Sequence, residues 1–149
     1  MIIQVQPGSD TAITMGGINI LSMGAAAVAG FIAAALYYNI VGKQWQTATG
    51  INEAHMREII GPACFVTAGI SQLLIAGVLA GVYYHFGADK LTLRSALITG
   101  GFLWLGLVVA PMAVNHRFQG RPWALTAVDG GSWLVVIWVQ AVVLALMGI

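Results

Sequence analysis

The chain has 149 residues, room for one domain, and a net charge of +1. It is 59% hydrophobic and 7% charged, against roughly 25% charged in soluble domains, which excludes an ordinary soluble globule. The six Lys and Arg form no basic stripe, so nucleic acid is not an expected partner, and the single Cys64 excludes an internal disulfide.

The charges are also segregated. Residues 11–42, 59–88, 95–116 and 130–149 contain no Asp, Glu, Lys or Arg. Each stretch is long enough to cross a hydrocarbon core of about 30 Å at about 1.5 Å per residue. The expected fold class is all-α integral membrane, a single four-helix transmembrane domain over 1–149. No Lys or Arg precedes Lys43, so the start lacks the basic region of a secretory signal and the first helix is expected to be retained.

In chain order, residues 1–14 read as a polar arm with a turn at Pro7-Gly8-Ser9-Asp10. Helix 1 is predicted over 17–41. Ser22, Ala26, Gly30 and Ala34 recur every four residues there, one small face that another helix can approach closely. Residues 43–58 read as the longest connection. It contains a short interfacial helix at 52–60, capped by Asn52 with Glu53 in its first turn and broken near Gly61-Pro62.

Helix 2 is predicted over 60–84, with Gly77 and Gly81 as a GxxxG pair, and a short turn follows from His85 to Thr92. Helix 3 is predicted over 93–114, bent near Pro111. Helix 4 is predicted over 123–148, opened by Pro122 at its first position or by Asp129 as an N-cap. Trp45, Trp123, Tyr37, Tyr38, Tyr83 and Tyr84 fall at predicted helix ends, as an aromatic belt requires.

A motif of Asn, a short gap, Gly, a cation, one residue and Trp occurs twice, at Asn39–Trp45 and Asn115–Trp123, with Gly42 and Gly120 offset by 78 positions. It predicts two matching turns and a two-by-two internal repeat, its halves related by an axis along the membrane normal. At an offset of 68, Gln72 of helix 2 falls on Gln140 of helix 4.

Few residues can carry chemistry. Gln72 and Gln140 are the deepest large amides, so each needs a partner: either they pair across the bundle or they line a solute path. Asp129 reads as a helix cap or, beside His116, as a proton or cation site. Lys43, Arg117 and Arg121 read as topology anchors on lipid phosphate or as an anion clamp, with Trp45 and Trp123 as interface anchors. Cys64 reads as a small packing residue. His55, His85 and His116 lack metal-ligand spacing, so neither a metal nor another cofactor is expected. No catalytic motif is present in the sequence.

The run Gly30–Tyr38, then Gly42-Lys43-Gln44-Trp45, Gly50-Ile51-Asn52-Glu53 and Asn115–Pro122, resembles the domain-of-unknown-function 1761 family over about residues 17–148. The resemblance implies a small bacterial protein with four membrane helices and transfers no catalytic residue. The chain departs from it at Tyr38-Asn39, where many members carry Tyr-Ser-Pro.

The expected function is a non-enzymatic integral membrane protein. It would contact membrane lipids and act as a homo-oligomer or with other membrane subunits. The alternative is a small-solute or proton transporter working as an oligomer. The loops after helices 1 and 3 carry Lys43, Arg57, Arg117 and Arg121, against Lys90 and Arg94 opposite. By the positive-inside rule this places loops 42–60 and 115–122 in the cytoplasm and both termini outside; the resemblance implies that the membrane is a bacterial inner membrane.

Overall fold

A computed structural model describes residues 3–5, 13–15 and 17–149. The predicted turn at Pro7-Gly8-Ser9-Asp10 lies outside them. Where a polar arm was expected, β1 (Ile3–Val5), β2 (Ile13–Met15) and β3 (Ile18–Asn19) form an antiparallel three-stranded sheet, with Ile3 opposite Met15 and Met15 opposite Ile18. The rest is helical: α1 (Ile20–Thr49), α2 (Glu53–Ile59), α3 (Pro62–Phe86), a 3-10 turn (Ala88–Lys90), α4 (Leu93–Leu103), a π-helical segment (Trp104–Val109), α5 (Ala110–Phe118) and α6 (Trp123–Met147).

Four helical stretches, Ile20–Thr49, Pro62–Phe86, Leu93–Phe118 and Trp123–Met147, are long and apolar enough to cross a membrane. Their outward faces carry bare hydrocarbon: Val28, Leu36, Ile40, Phe65, Leu74, Phe102 and Leu107 are all exposed. Water would penalise such a surface, whereas acyl chains match it.

Local signals set most ends. Asn19 caps α1 by accepting from the Leu21 and Ser22 amides at 3.0 and 3.3 Å. Asn52 caps α2 through the His55 amide at 2.9 Å, as its sequence suggests. Pro62 opens α3, where its missing N–H costs nothing. Thr92 and Ser95 make a capping box for α4 that the sequence reading did not anticipate.

Two boundaries differ from expectation. Helix α1 runs on to Thr49, through Gly42, Lys43 and Trp45, and ends at Gly50 with φ +73. Asn39 keeps its backbone donor, and its side-chain amide donates to Ala35 O at 2.8 Å. The first copy of the repeated motif is therefore helix. The second is helix through Phe118, beyond the predicted end at 114, and turns only at Gln119-Gly120, with Gly120 at φ +67. The connection predicted over 43–58 shrinks to three residues before α2.

The second difference is in the third span. Six π-helical residues, Trp104–Val109, precede Pro111, and the Ala110 amide reaches back five residues to Leu105 O. Proline lacks the donor for the carbonyl four residues back, and its ring crowds that carbonyl, so a widened turn accommodates it. Where a bend near Pro111 was expected, the structure has a π segment one turn upstream.

Helix α6 sits centrally, packing on α1 and α4, while α1 also packs on α3. The core is small-sided: Ala26, Ala27, Ala76, Ala80, Ala96 and Ala141 around Leu79, Ile137 and Leu144. The buried residues of α1 are Ser22, Ala26, Ala27 and Gly30, three of them from the predicted small-residue face. Of the GxxxG pair, Gly77 faces Met23 of α1, whereas Gly81 has open space where a Cβ would stand. Cys64 is exposed rather than packed, its Sγ 3.5 Å from Ile59 O.

Candidate functional site

The residues singled out in the sequence separate into two polar clusters. The first is at the middle of the bundle. Gln140 Nε2 donates to Gln72 Oε1 at 2.7 Å and to Gln72 O at 3.2 Å, with Gln72 3% and Gln140 0% exposed. Gly30 completes this cluster from α1, because a Cβ at that position would lie 2.5 Å from Gln72 Oε1 and 2.6 Å from Gln140 Nε2. Helix α1 approaches closely where the two amides need the volume. The Gln140 Oε1 has no hydrogen-bond partner among the described residues.

The second cluster joins α1, α5 and α6 near one end of the bundle. Asp129 lies in the second turn of α6, not at its start, because the helix begins at Trp123 after Pro122. It is therefore not an N-cap. Its Oδ1 accepts from Tyr38 OH at 3.0 Å, and its Oδ2 stands 3.9 Å from His116 Nε2. The Asp129 and His116 side chains are 20% and 15% exposed. His116 Nδ1 meets Thr126 Oγ1 at 3.0 Å, and Arg117 Nη2 donates to the same hydroxyl at 3.1 Å. The Arg117 guanidinium lies over the Trp123 ring, 3.9 Å from its centroid, while its Nε is buried without a partner among the described residues.

The two clusters are not connected by polar groups. Asp129, Ser132, Val136 and Gln140 follow one another along one face of α6, and Asp129 and Gln140 are about 16 Å apart along the axis. Ser132 is buried, but Val136, fully buried, interrupts the line. Surface recesses of about 580 Å³ along α1 (Leu21, Gly24, Val28) and about 200 Å³ between α3 and the π segment (Leu74, Val78, Leu107) have wholly apolar linings. Neither reaches a polar cluster.

Four ring donors clasp neighbouring helices through backbone carbonyls. Tyr37 OH donates to Val128 O at 3.0 Å, Tyr83 OH to Ala96 O at 2.9 Å, Trp104 Nε1 to Gly130 O at 2.7 Å and Trp138 Nε1 to Leu97 O at 3.2 Å. Tyr37, Tyr38 and Tyr83 are therefore helix clasps rather than members of a lipid-facing belt. Trp123, 65% exposed, suits an interface anchor, whereas Trp45 is half-buried. Lys43 and Arg121 are exposed, and Arg121 Nη1 donates to Thr49 O at 3.3 Å. Sequence reasoning missed Tyr38, Thr126 and Trp104. Only the consecutive tyrosines hinted at a role, as they bond the consecutive residues Val128 and Asp129.

Among the described residues, no group of three His, Cys, Asp or Glu side chains is placed to hold a metal ion. No curated protein and no solved structure matches the chain. The family model described as "Protein of unknown function (DUF1761)" matches residues 21–145, and with nearly its whole length covered the chain belongs to that family.

Proposed function

We propose that this chain is a non-enzymatic integral membrane protein that works as a homo-oligomer or as an accessory subunit of a larger membrane assembly. The observation that carries this reading is the uneven packing of its spans. In the most apolar stretch of Leu93–Phe118 only 6% of residues are buried within the chain, against 39% in α6. Such a span leaves most of its surface to what lies outside its own bundle, lipid or another subunit. The open space at Gly24, Gly69, Gly81 and Gly106 leaves room for a second backbone to approach. Extraction in mild detergent followed by mass measurement tests the reading: a defined oligomer or a stoichiometric partner supports it, and a strictly monomeric species removes it.

The positions of the basic residues support cytoplasmic loops, with Lys43, Arg117 and Arg121 contacting lipid phosphate beside Trp45 and Trp123. The bond between Gln72 and Gln140, matched at an offset of 68, supports descent from a duplicated two-helix unit.

The alternative, a proton or small-solute transporter, is favoured by Asp129 and His116 within the spans. Against it, the mid-bundle amides bond each other and Val136 separates them from the acid. Flux into proteoliposomes that falls in Asp129→Asn and in the Gln72→Leu/Gln140→Leu pair would favour transport over the subunit reading.

A further inference from the structure

We propose that His116 and Asp129 form a proton-binding latch that fastens the α5 arm to α1 and α6. The proposal is independent of the subunit reading, since a monomer and an oligomer could both carry such a latch.

Three features place the latch on a movable arm. Neither α5 nor the π segment before it has a single buried residue. The π segment contains Gly106, with open space around it, and leads into Pro111, a natural hinge in a long helix. The far end of the arm is held by polar ties instead: His116 to Thr126, Arg117 to Thr126, Arg117 over Trp123, and His116 facing Asp129.

Of these ties only the last gains or loses an ion pair with protonation, whereas the His116–Thr126 bond persists with its donor and acceptor exchanged. Among the described residues, the charged and titratable groups around His116 are Arg117 on its own helix, Asp129 on α6, and Tyr38 and Tyr37 on α1 beyond the carboxylate. Arginine stays charged throughout. At 3.9 Å the neutral imidazole makes no hydrogen bond to Asp129. With Nδ1 engaged by Thr126, an added proton gives the ring a full charge facing the carboxylate through Nε2. The proton creates an ion pair, and its loss leaves α5 held by the hydrogen bonds of His116 and Arg117 to Thr126 and by Arg117 over Trp123.

The test uses the full chain in liposomes. Spin labels at Ile40→Cys on α1 and Phe118→Cys at the end of α5 sit on exposed positions outside the cluster, in a Cys64→Ser background. The expected result is a narrow distance distribution at about pH 5.5 that broadens and lengthens by about pH 8. His116→Gln, which keeps a hydrogen-bonding amide but no titratable charge, should show the broad distribution at both. Asp129→Asn should do the same, and it decides the matter if His116→Gln does not elute as a single species. Identical wild-type distributions at the two pH values overturn the latch, as does a pH shift that survives in either variant.

Discussion

Gly30 of α1 makes room for Gln140 of α6: a Cβ at position 30 would stand 2.6 Å from the Gln140 Nε2 and 2.5 Å from the Gln72 Oε1 it serves. The glycine is thus part of an amide pair that spans three helices. Gly30→Ala is expected to destabilise the fold by about 1–3 kcal/mol, the usual cost of overpacking a fitted core. Gly24→Ala, six residues earlier on the same helix with open space around it, should change little. Denaturant unfolding in micelles compares them, and equal stabilities would remove the packing role given to Gly30.

The amide pair itself should behave as a unit. Gln72→Leu and Gln140→Leu each strand the other partner in a dry interior, whereas the double replacement strands neither. A double-mutant cycle should give a coupling of roughly 0.6–1.7 kcal/mol, the range of interhelical hydrogen bonds in membranes. Strictly additive losses would mean that the bond contributes nothing.

Tyr38 and Asp129 should couple in the same way at the end of the bundle. Tyr38→Phe removes the 3.0 Å donor to the carboxylate and should cost about 1.5–3 kcal/mol, as for a hydrogen bond to a charged group. In an Asp129→Asn background the acceptor is neutral, and the same change should cost about 1 kcal/mol. Thermal unfolding of the four proteins measures the difference, and a Tyr38→Phe penalty that ignores residue 129 would contradict the bond.

Gly131 is expected to matter only because of Tyr37. A Cβ there would press on the Tyr37 hydroxyl, which donates to Val128 O. Gly131→Ala alone should be destabilising by about 1–3 kcal/mol. Tyr37→Phe shortens the ring by the clashing oxygen, so the double variant should be more stable than Gly131→Ala alone. A double variant as unstable as the sum of its parts would place the fault in the backbone instead.

Much of the fold was legible in the sequence because its signals are local. Segregated charge marked four apolar spans, Asn52 marked a helix start and Gly61-Pro62 a break, and the four-residue spacing of Ser22, Ala26 and Gly30 marked a buried face. The repeated Gly-cation-x-Trp motif misled for the same reason: identical local residues were read as identical turns. Tertiary packing lets α1 run on through the first copy and end only at Gly50. Asp129 followed suit. Its Gly-Gly-Ser context reads as a cap, yet the helix had already begun at Trp123, six residues earlier, leaving the carboxylate in the second turn facing Tyr38 and His116.

By itself the sequence determined the class of protein, the number of spans and most of their caps, because hydrophobic length and capping act over a few residues. Only the tertiary structure decided which polar groups meet. Gln140 bonds a residue 68 positions away, and Tyr38 reaches one 91 positions away. No local pattern encodes those pairings. They arise because buried amides, rings and a carboxylate must each find a partner in a medium that offers none, and helix packing determines which partner is within reach.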